Sequence, residues 1–151
     1  MDVFGKSIDL YLIGGFLGAG KTTFIQHLIA QLGDAKLGLL VNEFGSISID
    51  APLLRDGEIQ LVEINNGSVF CACIGHGFTK TLKAFSEQPI DALLIESSGM
   101  ADPSSMNTIL NQMEPYLARP FNYRGLITIV DATSFEDYID VILPLQNQVA
   151  A

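Results

Sequence analysis

Tryptophan is absent from this chain of 151 residues, and cysteine and histidine occur only twice each. Basic residues are scarce as well: eight Lys and Arg stand against 17 Asp and Glu, a formal net charge of −9. Generic binding to nucleic acid or to an anionic membrane needs a positive field, so this balance excludes both partner classes. An anionic small ligand remains compatible, provided a local, preorganised site receives it. No apolar run approaches the ~18 residues needed to span a bilayer. The opening residues, Met1 to Leu12, carry neither a basic n-region nor a signal cleavage site. The expectation is a soluble, cytoplasmic protein. Cys71 and Cys73 are one residue apart, so they cannot cross-link distant parts of a fold. They are a reactive thiol pair, a fragment of a metal site, or two small core residues.

What is present is a globular composition. The chain is 48% hydrophobic, within the range of about 45–50% typical of folded domains, and its length suits one domain spanning residues 1–151. Short runs rich in Leu, Ile and Val predict strands at Ile8–Ile13, Leu37–Val41, Ile59–Ile64, Ala92–Ile95 and Leu126–Val130. Their near-continuous apolarity suits strands covered on both faces. Helical stripes lie between them. Phe24, Ile25, Leu28, Ile29 and Leu32 form one, and Phe78, Leu82 and Phe85 a second. Met106, Ile109, Leu110, Met113 and Leu117 form a third, and Phe135, Tyr138, Ile139 and Ile142 begin a fourth. The alternation predicts an α/β fold, a doubly wound, mostly parallel sheet with helices on both faces. After Pro144 no charged last turn, glycine stop or further strand follows, so the expectation is a domain that continues past Ala151.

The strongest motif runs from Gly15 through Phe16, Leu17, Gly18, Ala19, Gly20 and Lys21 to Thr22, a full match to G-x-x-x-x-G-K-[ST]. A predicted strand precedes it and a helical stripe follows, as a P-loop NTPase requires. Its glycines let backbone N–H groups turn inward around phosphate oxygens, and the helix adds its positive end. Lys21 is then placed for the β- and γ-phosphates and Thr22 for Mg²⁺.

Such a loop needs a carboxylate near the Mg²⁺ and a sensor of the γ-phosphate. Two predicted strands end in acids, at Glu96 and Asp131. Glu96 is the stronger candidate because Ser97, Ser98 and Gly99 follow it, and the Gly99 N–H can reach a γ-phosphate. Glu43 and Asp50 sit in the long segment after the second strand, where a nucleotide-sensitive loop or a solvated surface is expected. A small-molecule kinase would need several lid arginines, and the chain has only Arg55, Arg119 and Arg124. A partitioning-type ATPase would need lysine in place of Phe16.

Taken in order, the string Gly15 to Thr23, Val41-Asn42-Glu43-Phe44-Gly45 with Asp50, Asn66-Gly67 followed by cysteines, the string Glu96 to Pro103, and Val130-Asp131-Ala132 resemble the CobW branch of the CobW/HypB/UreG metal-chaperone GTPases. The resemblance spans nearly the whole chain. It implies a GTPase, binding GTP and GDP with Mg²⁺, whose hydrolysis drives delivery of zinc or cobalt to a client metalloprotein; it leaves room for a nucleotide- or metal-dependent homodimer. It implies Gly15, Gly18, Ala19, Gly20, Lys21, Thr22, Thr23 and Gly99 as nucleotide contacts. Thr22, Asp50 and Glu96 become the Mg²⁺ and catalytic-water shell, and Glu43 a switch-loop acid that joins the transferred metal. No residue matches a glutamine that orients the attacking water, so slow intrinsic turnover is expected.

Two departures stand out. The family pattern after Asn-Gly is Cys-x-Cys-Cys, whereas here Ser68, Val69, Phe70 and Cys71 follow. Cys71, Cys73 and His76 could still supply three zinc-type ligands, with Glu43 as a fourth; a packed loop beside Phe70 and Ile74 is the alternative. The family's Asn-Lys-x-Asp guanine motif also does not occur before Ala151. The domain is therefore expected to be truncated ahead of it, with weak and unselective nucleotide binding. Two readings compete with a metal chaperone: a metal-independent nucleotide switch, and an ATP-dependent small-molecule kinase. His27, beside the apolar stripe of the first helix, is expected to be structural.

Overall fold

The structure, a computed structural model, describes residues 6–32, 35–42, 59–64, 76–97, 105–140 and 142–150. Its apolar runs form five strands: β1 (Ile8–Gly14), β2 (Leu37–Asn42), β3 (Ile59–Ile64), β4 (Ala92–Glu96) and β5 (Phe121–Thr128). They make one sheet in the order β3-β2-β4-β1-β5, with every pairing parallel. Parallel neighbours need crossovers, and the helical stripes supply them as α1 (Lys21–Gln31), α2 (His76–Ser86) and α3 (Met106–Met113).

The two sides of the sheet are packed by different helices. Leu82 and Phe85 of α2 and Met106 and Ile109 of α3 close over Leu10, Leu12, Leu40, Leu93 and Ile95. On the other face Ile25 and Ile29 of α1 cover Ile13, Leu39, Val41 and Leu94. This is the doubly wound arrangement expected from the alternation, with a wholly parallel sheet among the described strands.

Three sequence-based boundaries are corrected. β5 begins at Phe121, not Leu126, because polarity there hides a strand. Asn122 donates to Asp9 Oδ1 at 3.0 Å, and Arg124 grips both Asp9 oxygens at 3.0 and 3.3 Å. The register then shifts from Leu10↔Tyr123 to Tyr11↔Gly125, with Gly125 at φ 114°. This bulge returns Leu126 to the α2–α3 face and Ile127 to the α1 face. The third stripe stops at Met113 and tightens into a 3₁₀ turn over Glu114–Tyr116, where Pro115 ends the α-helical ladder. The fourth stripe is split into one turn, α4 (Phe135–Tyr138), and α5 (Leu143–Ala150). Pro144, near the start of α5, suits a first helical turn.

Arg119 ties the lower end of the sheet together. It is 1% exposed and donates to the carbonyls of Lys6 (2.7 Å), Gln88 (3.0 Å) and Ile90 (2.9 Å). Among the described residues no helix is long and apolar enough to cross a membrane.

Candidate nucleotide-binding site

The site forms where β1 stops. β4 runs beside it in the register Ile13↔Glu96, and β5 on the other side in the register Gly14↔Thr128. The chain leaves β1 for α1 on one face and leaves β4 for α3 on the opposite face, so a crevice opens at their carboxyl ends. Parallel pairing therefore brings Glu96 beside Thr22 in the first turn of α1, 74 residues earlier in the chain.

The loop between β1 and α1 is curled by glycine. Gly15, Gly18 and Gly20 have φ of 137°, 79° and 92°, a region that side chains with a Cβ rarely occupy. Ala19 N–H donates to the Phe16 carbonyl at 3.2 Å, closing a turn at the tip. Gly20 serves as the N-cap of α1 in a left-handed conformation and offers no side chain to satisfy the first N–H groups. Those donors are left for an anion. At Gly15 a second constraint applies, because a Cβ would overlap the carbonyl oxygen of Ile129.

Lys21, the first residue of α1, is buried, and its Nζ donates to the carbonyls of Gly15 (2.8 Å) and Phe16 (3.1 Å). Burial holds its pKa below the ordinary lysine value, while the Glu96 carboxylate pulls it back up. Glu96 is buried in turn, and desolvation raises its pKa against the opposing pull of Lys21 and Thr22. The Thr22 hydroxyl makes a long contact of 3.5 Å to Glu96 Oε1. Glu96 Oε2 is buried with no hydrogen-bond partner. The Thr22 hydroxyl and the unpartnered carboxylate oxygen of Glu96 are hard donors that suit Mg²⁺.

Ser97, which the sequence reading gave no role, fixes the end of β4. Its N–H and hydroxyl both reach the Ile13 carbonyl, at 3.0 and 3.2 Å. Its place immediately after Glu96 was the one available signal.

Asp131 is corrected as a Mg²⁺-carboxylate candidate. It is exposed, and its oxygens accept from Thr133 N–H (2.9 Å), Thr133 Oγ1 (2.7 Å) and Ser134 Oγ (3.2 Å). These bonds, led by the Thr133 hydroxyl, lower its pKa and build the turn that starts α4. His27 lies exposed on α1, with Nδ1 2.8 Å from the Thr23 carbonyl, a local helix contact rather than core packing.

The structure thus brings together Gly15, Gly18, Ala19, Gly20, Lys21, Thr22 and Glu96, with Thr23 exposed in the same first turn. Glu43, Asp50, Cys71, Cys73 and Gly99 lie outside the described residues. His76 is placed only as the first residue of α2.

Comparison with known proteins agrees with this geometry. The family described as CobW/HypB/UreG, nucleotide-binding domain, matches residues 9–150. The zinc chaperone YjiA of Escherichia coli (strain K12) is 31% identical over 147 residues, covering 94% of this chain and 46% of that protein. The zinc chaperone CobW of Sinorhizobium sp. is 31% identical over 135 residues, covering 84% of this chain and 37% of its own length. The zinc chaperone YeiR of Escherichia coli (strain K12) is 36% identical over 126 residues, or 80% of this chain and 36% of its own. The crystal structure of Zn(II)-bound YjiA GTPase from E. coli superposes with a TM-score of 0.64 at 26% identity, covering 95% of this chain and 46% of that one. The chain thus spans less than half the length of these relatives. With a family match over residues 9–150 and the phosphate loop, strand order and Glu96 in place, this chain belongs to the CobW/HypB/UreG family through its nucleotide-binding domain.

Proposed function

We propose that this chain binds a magnesium–guanine nucleotide at the β1–α1 loop and that its hydrolysis drives delivery of zinc or cobalt to a client metalloprotein in the cytoplasm. The observation that carries the nucleotide part is the convergence of Lys21, Thr22 and the unpartnered Glu96 oxygen on a loop of three left-handed glycines. In this reading Lys21 leaves the Gly15 and Phe16 carbonyls for the phosphates, and the inward N–H groups of the loop and α1 hold their oxygens. Thr22 and Glu96, joined by Asp50, would hold Mg²⁺, which would supply positive charge to offset that of the phosphates. Gly99 offers its N–H to the γ-phosphate, and Thr23 completes the cradle.

The transferred ion is a substrate. The relatives named zinc chaperones support zinc, and the soft thiolates of Cys71 and Cys73 with the His76 imidazole suit zinc or cobalt. Glu43 is the fourth ligand in this proposal. Guanine preference and client delivery rest on family membership.

The test is an anaerobic Co²⁺ titration of the intact protein, followed by absorption, with and without a non-hydrolysable GTP analogue. Thiolate-to-cobalt bands that shift with nucleotide and vanish in Cys71→Ala and Cys73→Ala are expected. Nucleotide binding without any thiolate band would leave a metal-independent switch, the outcome that Ser68 and Phe70 would explain.

A further inference from the structure

A loop carrying three positive-φ glycines has little shape of its own, because glycine loses the most conformational freedom on ordering. Its shape must be imposed by contacts from outside, and besides the Lys21 bonds to Gly15 and Phe16 the described ones come from the chain after β5. The Ile129 N–H donates to the Gly14 carbonyl at 2.9 Å, and the Ile129 carbonyl fills the space beside Gly15. The third contact is aromatic. The Tyr138 ring of α4 meets the Phe16 ring at a centroid distance of 5.9 Å and a tilt of 43°.

Phe16 is where such a contact has leverage. Its carbonyl accepts from both Ala19 N–H (3.2 Å) and Lys21 Nζ (3.1 Å), so the same residue closes the tip of the loop and holds the lysine. Tyr138 is placed in turn by the Asp131 turn. The Asp131 carbonyl accepts from Ser134 N–H (3.2 Å) and Phe135 N–H (3.0 Å), and its side chain accepts from Thr133 and Ser134. Tyr138 belongs to neither core cluster and is 43% exposed. An exposed aromatic outside the core, resting on the one aromatic of a phosphate loop, is poorly explained by stability alone.

We propose that Tyr138 is a positioning residue for the nucleotide: through Phe16 it holds the phosphate loop in the curled form that receives the phosphates. The inference rests on the reading of this loop as the nucleotide site. Tyr138 need touch no part of the nucleotide, and its ring rather than its hydroxyl does the positioning.

The experiment compares Tyr138→Ala, Tyr138→Phe and a control, Tyr116→Ala, in the intact protein with Mg²⁺. Tyr116 is 67% exposed on the 3₁₀ turn and makes no described contact with the loop. Titration with a fluorescent GDP analogue, steady-state GTP turnover and melting without nucleotide are measured. Tyr138→Ala is expected to raise the Kd about three- to tenfold, the worth of one aromatic pair. The KM for GTP should rise by the same factor while kcat holds, the mark of lost uniform binding. Its melting midpoint should stay within about 2 °C of wild type. Tyr138→Phe and Tyr116→Ala should stay within about twofold of wild type, since neither removes the ring pair.

An unchanged Kd and KM in Tyr138→Ala, or an equal loss in Tyr138→Phe, overturns the inference while leaving the nucleotide site intact. A wild-type protein that binds no GDP analogue overturns the nucleotide reading, and the inference with it.

Discussion

Replacing Glu96 by glutamine removes a charge from a buried position where holding it is costly. The side chain is 7% exposed, Oε2 has no partner, and Oε1 has only the long Thr22 contact. Burial lifts the Glu96 pKa above the ordinary carboxylate value, with Lys21 and Thr22 opposing. A carboxyl whose pKa is higher folded than unfolded supports folding when protonated, below its unfolded pKa. That support is lost as pH rises through the folded value. At neutral pH the ionised form therefore destabilises the nucleotide-free protein. Glutamine keeps a polar atom at the unpartnered position, so the gain comes only from removing the desolvated charge; with the attraction to Lys21 also lost, the net is about 1 kcal/mol.

With about 2–4 °C per kcal/mol for a domain of this size, Glu96→Gln should melt about 2–4 °C above wild type at pH 8. The two curves should converge as pH falls below the usual glutamate range, where wild-type Glu96 is neutral as well. Scanning calorimetry from pH 4.5 to 8, in chelator and without nucleotide, measures the gap. Excess Mg-GDP should then reverse the order, because wild type binds it about tenfold or more tightly and gains stability by mass action. A variant that melts below wild type at pH 8, or a gap that widens toward acid, would refute the reasoning.

Gly15→Ala forces a Cβ onto the Ile129 carbonyl at a φ of 137°; it should cost about 1–3 kcal/mol of stability and weaken GDP binding at least tenfold by titration. Arg119→Met removes three hydrogen bonds to the carbonyls of Lys6, Gln88 and Ile90, of which Gln88 keeps the Ile90 N–H at 2.8 Å. Denaturant unfolding should show a loss of about 2–4 kcal/mol, while nucleotide affinity per folded molecule stays at the wild-type value. Gly38→Ala places a Cβ 2.8 Å from Phe85 Cε1 and 2.9 Å from Ile90 Cδ1. Overpacking should lower stability by about 1–3 kcal/mol, and Gly38→Ala with Phe85→Leu should recover part of it.

The phosphate loop was legible because its chemistry is local: three glycines, a lysine and a threonine act within eight residues, between a strand and a helix the apolar periodicity already marks. β1, β2 and β4 were legible because a strand covered on both faces writes a near-continuous apolar run, and β3 because Ile59, Leu61, Val62 and Ile64 fall close together. β5 hid its first half because Asn122 and Arg124 are satisfied by Asp9, more than 110 residues away in sequence. Helix boundaries at Met113 and Tyr138 were blurred where a 3₁₀ turn and a restarted helix keep apolar residues in step.

The choice between Glu96 and Asp131 illustrates the division between local and tertiary information. Both acids lie at the carboxyl ends of strands that flank β1, and in the sequence only the loop after Glu96 favours it. In three dimensions Glu96 is carried beside Lys21 and Thr22, whereas Asp131 turns back to cap its own chain. No periodicity encodes the Phe16–Tyr138 contact or the Arg119 clamp, because each joins segments that meet only after the sheet has formed. Local sequence determines which residues can hold a phosphate, since backbone conformation and side-chain chemistry travel with the residue. Strand order and register decide which distant carboxylate, carbonyl and ring surround that loop, because those neighbours exist only once five parallel strands are aligned.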